Sequence, residues 1–295
     1  MSAPAPYTVA ALYEFRSVDD PAALQAGLRE FTRDLGLCGT LLVAPEGING
    51  TVAGSREAIT ALRAHLESLG FLAMEYKESE SPHAPFKRLK VRLKKEIVTL
   101  GVPVEPRRQA GTYLSPAEWN ALTADPDVIV VDTRNRYEVQ AGTFQGAVDP
   151  GIDSFREFPS WVDQHLAGQE GKRIAMFCTG GIRCEKSTSL LREKGFQEVY
   201  HLQGGILRYL EEVSQEDSRY QGECFVFDGR VTVGHGLTPG GGEMCHSCGW
   251  PLRPDDLQSP LFERGVSCAH CADTTTPAQK AAFRERQRQY DGGLL

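Results

Sequence analysis

The sequence has no apolar run near the ~20 residues that a membrane helix needs; Val128–Val131 is typical of its longest. No basic segment followed by an apolar core occurs at Met1–Thr8, so neither a secretory signal nor a membrane partner is expected. Cysteine is sparse, eight in 295 residues, too few for a disulfide-stapled scaffold. Without export these thiols are expected to be reduced or metal-bound and the protein cytoplasmic. A strong excess of one charge is also missing. The 32 Lys+Arg and 39 Asp+Glu leave a net charge of −7, which argues against indiscriminate nucleic-acid binding. No internal repeat appears, and no motif identifies a protein partner.

What remains is a globular composition, 41% hydrophobic and 24% charged, long enough for about two or three domains. Charge is uneven: residues 1–110 carry +1, 111–222 carry −6 and 223–295 carry −2. A local basic surface is compatible with this balance, because charges are screened beyond ~8–10 Å.

The first stretch alternates strand and helix signals. Strands are expected at Tyr7–Phe15, Gly39–Val43, Gly50–Ala53 and Phe71–Tyr76, with a turn at Pro45–Asn49. Helices are expected at Pro21–Leu35, capped by Asp20, and from Ser55 to Leu69. That β-α-β-β-α-β order is the ferredoxin-like unit. A further strand-like run spans Phe86–Val98, and Pro103, Pro106, Arg107 and Arg108 read as a linker. The second stretch alternates short apolar strands (Val128–Val131, Arg173–Phe177, Val199–Leu202) with helical segments (Ser154–Leu166, Arg183–Lys194), as in a parallel α/β domain covered on both faces. In the third, Phe225–Phe227 and Arg230–Val233 flank Asp228-Gly229, a hairpin signal, and a helix follows Thr276-Pro277. The expected domains are 1–105, 110–220 and 222–295.

The sharpest chemical signal is Cys178-Thr179-Gly180-Gly181-Ile182-Arg183, between an apolar strand and a helix. Parallel sheets place their sites at the carboxyl ends of strands. The glycines let successive N–H groups turn inward, and with the helix N-terminus and Arg183 they form an anion cradle. Such a field favours the Cys178 thiolate and would hold a persulfide. Cys184 follows directly, as a resolving thiol or as a helix residue packed on the sheet. Lys186 reads as solvated, and Asp132 as a structural hydrogen-bonding residue beside the loop.

These residues, with Val131-Asp132-Thr133-Arg134, Tyr137-Glu138, Gly146-Ala147 and Leu202-Gln203-Gly204-Gly205, resemble the rhodanese superfamily. Thr143 stands where that superfamily commonly has a packing histidine. Only four residues separate Cys178 from Arg183, against five in related phosphatases, so the resemblance implies a sulfur-sized pocket and no phosphatase activity. A narrower resemblance covers nearly the whole chain. Glu46-Gly47-Ile48-Asn49-Gly50-Thr51, Cys178 to Lys186 and Gly222-Glu223-Cys224-Phe225-Val226-Phe227-Asp228 are similar to the bacterial tRNA uridine hydroxylase family. This resemblance implies an N-terminal domain, a rhodanese domain and a Cys-rich domain in that order. It also implies oxygen-dependent formation of 5-hydroxyuridine at the wobble position of tRNA, with Cys178 essential.

Cys245-x2-Cys248 and Cys268-x2-Cys271, separated by 19 residues, have the spacing of a four-thiolate zinc site. Four protein ligands leave no open position, so a structural zinc is expected in a zinc-ribbon-like domain. Four reduced, unmetallated cysteines, or two disulfides, are the alternative. His246 and His270, inside the pairs, read as contact residues.

Along Phe86–Lys94 the cations Arg88, Lys90, Arg92 and Lys94 alternate with Leu89, Val91 and Leu93, which puts four charges on one strand face. This is a phosphate-backbone track or an ordinary solvated edge strand. The tRNA-modifying resemblance favours the track. The final helix, with Lys280, Arg284, Arg286 and Arg288, is a second candidate. No aromatic stands out as a platform for a flipped base. No flavin, nicotinamide, haem or non-haem iron signature accompanies these features. Besides the hydroxylase, a sulfurtransferase working through a Cys178 persulfide and a non-catalytic RNA-binding adaptor fit the residues.

Overall fold

The computed structural model describes residues 7–292. The N-terminal unit runs β1 (Tyr7–Phe15), α1 (Pro21–Phe31), β2 (Cys38–Ala44), β3 (Gly47–Gly54), α2 (Arg56–Ser68), β4 (Glu75–Ser81) and β5 (Leu89–Leu93). The sheet order is β4-β1-β3-β2-β5, antiparallel except where β5 lies parallel to β2. This is the ferredoxin-like arrangement with one added edge strand.

Several boundaries differ from the sequence reading. Helix α1 ends at Phe31, where the Thr32 hydroxyl donates to the Leu28 carbonyl; Leu35 still packs on the core from the turn beyond. The β2–β3 connection is the two residues Pro45 and Glu46, so Gly47–Asn49 belong to a strand rather than a turn. Strand β4 covers the polar Glu75–Ser81, while Phe71 is a buried plug before it. A polar strand forms there because its backbone pairs with β1 along the full register, Tyr7 to Ser81 through Tyr13 to Glu75.

Strand alternation decides what this sheet does. Ala10, Leu12, Leu41, Val43, Ile48 and Val52 face α1 and α2 and form the core with Leu28, Ile59, Leu62 and Leu66. The opposite face carries Val9, Ala11, Tyr13, Thr40, Leu42, Asn49 and Thr51, and no helix of this unit covers it.

The central unit continues with α3 (Pro106–Gln109), β6 (Thr112–Leu114), α4 (Pro116–Thr123), β7 (Val128–Asp132), α5 (Arg136–Ala141), β8 (Gly142–Phe144), α6 (Phe158–His165), β9 (Arg173–Phe177), α7 (Ile182–Glu193), β10 (Val199–Leu202) and α8 (Gly205–Glu212). Its parallel sheet has the order β6-β10-β9-β7. Val131, Ile174 and Met176 face α6 and α7, and Val130, Ala175 and Phe177 face α4 and α8. Both faces are buried, as the near-continuous apolar strands require. A capping box at Ser115 and Glu118 starts α4.

The last unit has short strands: β11 (Tyr220–Gly222), β12 (Cys224–Phe225), β13 (Thr232–Val233), β14 (Glu243–Met244) and β15 (Pro251–Leu252), then α9 (Pro277–Asp291). The expected hairpin is present, but only Cys224–Phe225 pairs with Thr232–Val233. Asp228 and Gly229 lie in a longer loop, closed by a 2.6 Å Arg230–Asp228 ion pair and tied to the first unit where Arg230 donates to the Ser79 hydroxyl. Among the described residues no helix is long and apolar enough to cross a membrane.

Candidate active site

Strand β9 delivers Cys178 at its carboxyl end, and α7 starts four residues later. The turn between them is tight because α8 closes on it: the N–H groups of Ile206 and Leu207 donate to the carbonyls of Cys178 and Thr179, both at 3.0 Å. Gly205, at φ +64°, permits that approach, since a Cβ there would lie 2.5 Å from the Cys178 carbonyl oxygen. Gly181, at φ +100°, turns its N–H onto the Cys178 Sγ at 3.1 Å.

The thiol is buried, which by itself raises its pKa. A hydrogen bond from the Cys184 thiol, the Arg183 charge and the N–H groups of Cys184 and Arg183 outweigh burial and bring Cys178 down to about 6. Burial and the Cys178 charge push Cys184 the other way. Cys178 therefore holds the negative charge, and Cys184 stays a neutral donor, also 3.7 Å from the Thr133 hydroxyl.

Arg183 is fixed by Glu138, whose carboxylate accepts from it at 2.8 Å and from the Thr179 hydroxyl at 3.3 Å. The guanidinium Nη1 is buried without a protein partner among the described residues, and the charge lies over the Phe227 ring at 5.8 Å. Asp132 plays the structural role expected of it. Fully buried, it binds Arg134 through two hydrogen bonds at 2.6 and 2.8 Å and accepts from the Thr143 hydroxyl at 2.8 Å. Thr143 thus fills its position with a hydrogen bond.

Above Cys178 lies a cavity of about 740 Å³, far larger than the sulfur-sized pocket that loop length implied. Loop length sets only the cradle; the roof comes from elsewhere. The uncovered face of the N-terminal sheet supplies Tyr13, Thr40, Asn49 and Thr51, the 94–99 segment supplies Lys94 and Glu96, and the third unit supplies Phe227. Phe227, 53% exposed, presents an aromatic ring to this cavity, a residue the sequence did not single out.

Lys186 corrects another expectation. It is buried, not solvated, and pairs with Glu46 at 2.8 Å and Glu96 at 2.7 Å. Glu46 also accepts from the Ile97 N–H, and Asn49 donates to the Ile97 carbonyl. The Glu46–Thr51 segment thus anchors the first unit to α7. Neighbouring Glu185 is held by two phenols, Tyr13 at 3.2 Å and Tyr113 at 2.6 Å. Sequence reasoning assigned roles to neither Glu138 nor Glu185; their partners are 45 and 172 residues away, respectively, in Arg183 and Tyr13.

On β5, Lys90 and Arg92 sit opposite Thr40 and Leu42, two cavity-facing residues, so the cationic face continues the cavity wall. Among the described residues none of Arg88, Lys90, Arg92 and Lys94 is in an ion pair, while Leu89 and Val91 pack on the core. The final helix is different: Arg284 binds Glu263 twice at 2.6 Å, Arg286 donates to the His246 and Gly265 carbonyls, and Arg288 pairs with Glu285. Its arginines are engaged within the unit, which removes most of the free charge that made it a candidate track.

Cys245, Cys248, Cys268 and Cys271 bring their sulfurs within 4.8 Å of one another. Separations of 3.8 Å (Cys248–Cys268 and Cys268–Cys271) and 4.0 Å (Cys245–Cys271) match the ~3.8 Å edge of a tetrahedron with 2.3 Å metal–sulfur bonds. The four residues fit a metal ion. His270 stacks on Trp250 at 4.3 Å, a contact role as expected.

Family models match residues 7–97, described as a UPF0176 acylphosphatase like domain, and residues 115–212, described as a rhodanese-like domain. The chain is 72% identical to a tRNA uridine(34) hydroxylase of Deinococcus radiodurans, over 99% of this chain and 98% of that protein. It is 59% identical to one of Acinetobacter baumannii, over 97% and 91%. A solved rhodanese-like domain from Anabaena sp. aligns at 18% identity and a TM-score of 0.31, covering 37% of this chain and 78% of that one. The architecture is a rhodanese-type parallel α/β unit after a ferredoxin-like one and before a cysteine cluster.

Proposed function

The chain belongs to the tRNA uridine(34) hydroxylase family, and we propose that it converts the wobble uridine of tRNA to 5-hydroxyuridine at Cys178, with molecular oxygen as co-substrate. The observation that carries the site assignment is the cavity itself: one thiol with a lowered pKa, under a roof from a second unit, with cations along the same sheet face that have no ion-pair partner among the described residues. At about 740 Å³ it takes a nucleobase, and bases are reached by enzymes only once unstacked.

In this reading the uracil ring enters between Phe227 and the Cys178 loop, with Phe227 as its stacking platform. Arg88, Lys90, Arg92 and Lys94 hold the flanking phosphates, contacts that position RNA without reading its sequence. Cys178 is the nucleophile and Arg183 stabilises charge beside it. Thr179, Gly180, Gly181 and Ile182 shape the cradle, and Cys184 stabilises the thiolate by donating to it. The four cysteines hold a structural zinc, which keeps the last unit folded and takes no part in the reaction. The protein acts on tRNA in the cytoplasm.

Nucleoside mass spectrometry of tRNA from a deletion strain, complemented with wild type or Cys178→Ala, tests this. Loss of 5-hydroxyuridine restored by wild type alone is expected. Loss of a thiolated base instead would favour sulfur transfer through a Cys178 persulfide.

A further inference from the structure

Glu185 is almost fully buried next to the site, yet no cation pairs with it among the described residues. Its two oxygens accept from Tyr13 and Tyr113. Tyr13 comes from β1 of the N-terminal sheet, lines the cavity, and its hydroxyl lies where a methyl group on Gly181 would meet it at 2.9 Å. Tyr113 is 44% exposed. The three side chains therefore make a hydrogen-bonded line from the cavity to the surface, assembled from two units.

We propose that Tyr13, Glu185 and Tyr113 are a proton path for the Cys178 cavity, with Tyr13 taking the proton that uracil C5 gives up and Glu185 receiving the one Tyr13 releases. The inference rests on the hydroxylase reading. Replacing hydrogen by hydroxyl at C5 requires that the C5 hydrogen leave as a proton when the ring double bond is restored. In that step the C5–H bond breaks and its electron pair stays with the ring. An O–H bond forms at Tyr13, whose own proton moves to Glu185 Oε1, and the phenol ends neutral. The carboxyl, protonated at Oε1, then turns about its Cγ–Cδ bond to bring that proton to the Tyr113 oxygen, while Tyr113 swings its own hydroxyl proton outward and releases it to water. Tyr13 would be the catalytic residue and Glu185 a positioning residue acting through it.

The carboxyl suits this work. Burial raises it to about 7, with the Glu75 and Cys178 charges adding to the rise and the two phenols opposing it. An acid poised near the working pH is the efficient choice for proton transfer. The titratable groups facing Glu185 are Tyr13, Glu75, Tyr113 and Cys178. Lys186 is turned away onto Glu46 and Glu96. His201, stacked on Tyr113 at 4.1 Å, is held neutral by burial.

The test measures hydroxylation of a tRNA transcript by the purified full chain across about pH 5–9. Glu185→Gln should lower kcat by ~10²-fold or more, leave KM for tRNA within about two-fold and remove the ionisation near 7. Tyr13→Phe, which keeps the ring and its packing, should show the same loss of kcat, and Tyr113→Phe a smaller one. Independently of hydroxylation, Cys178 alkylation by iodoacetamide should keep its midpoint near pH 6 in Glu185→Gln, because Glu185 is neutral where Cys178 titrates; an unmoved midpoint separates loss of proton transfer from loss of the cradle. Wild-type kcat in both Glu185→Gln and Tyr13→Phe, or an ionisation near 7 that survives Glu185→Gln, would overturn the path. A wild-type enzyme that makes no 5-hydroxyuridine would instead sink the hydroxylase reading.

Discussion

Cys178 is set apart from its neighbour Cys184 by electrostatics, whereas Cys245, Cys248, Cys268 and Cys271 are grouped by geometry. At the first site, N–H groups, a thiol and a guanidinium converge on one sulfur and leave the other protonated. At the second, burial raises Cys248 to about 11, while at Cys271 burial is outweighed by N–H and thiol hydrogen bonds that bring it down to about 7, so the cluster accommodates one thiolate and needs a cation to hold four. A lone thiolate in a donor cradle is arranged to react; four sulfurs at tetrahedral spacing are arranged to be neutralised. The contrast separates a site that can fail chemically while folded from one whose failure is loss of fold.

The largest effect should come from the sulfur itself. Cys178→Ala is expected to abolish 5-hydroxyuridine formation with the circular dichroism spectrum unchanged; full hydroxylation by the variant would remove Cys178 from the reaction. Chelation is the mirror image. Purified protein should contain about one zinc per chain, and its removal should unfold the last unit before the α/β core. Metal-free protein with that unit intact by hydrogen exchange would contradict the structural metal.

The scaffold under Cys178 offers a stability test. Asp132 and Arg134 are both fully buried, so Arg134→Met leaves an unpaired buried carboxylate and should cost ~3–5 kcal/mol in urea denaturation. A loss under ~1 kcal/mol would mean the strand end is held otherwise. A smaller, pH-dependent effect distinguishes the thiols. Cys178 carries a depressed pKa, so its alkylation should rise through about pH 6 and level off above it, while Cys184 stays unreactive. Cys184→Ala should move that midpoint upward, having removed a donor to the thiolate; an unmoved midpoint with wild-type turnover would leave Cys184 a packing residue.

The smallest effect concerns neither cysteine site directly. Lys90→Glu with Arg92→Glu should weaken tRNA binding and reduce the log–log salt slope by ~0.7–0.9 for each phosphate that is no longer neutralised. Cys178 alkylation should not change. Wild-type affinity and slope would make β5 an ordinary solvated edge.

Much of this was legible locally. The glycines between Cys178 and Arg183 dictate a turn, the two Cys-x-x-Cys pairs dictate a cluster, and alternation along β5 places four cations together. In each case the interacting residues are close in sequence or repeat with a backbone period. The reading of Lys186 as solvated failed because α7 is polar in sequence yet buried from Cys184 to Leu191. Its charge is matched by Glu46 and Glu96 across a unit boundary, and no local pattern records such partners. The size of the cavity escaped for the same reason.

By itself, then, the sequence determined the order of the three units, the glycine turn after Cys178 and the spacing of the two Cys-x-x-Cys pairs, because these follow from φ/ψ preferences, hydrophobic period and residue count. Only the tertiary structure decided which thiol has its pKa lowered and which raised, how large the space above Cys178 is, and that Glu185 meets Tyr13 and Tyr113. Those are properties of charges and surfaces brought together over long sequence separations, where the field at one atom is a sum over neighbours that the chain order does not name.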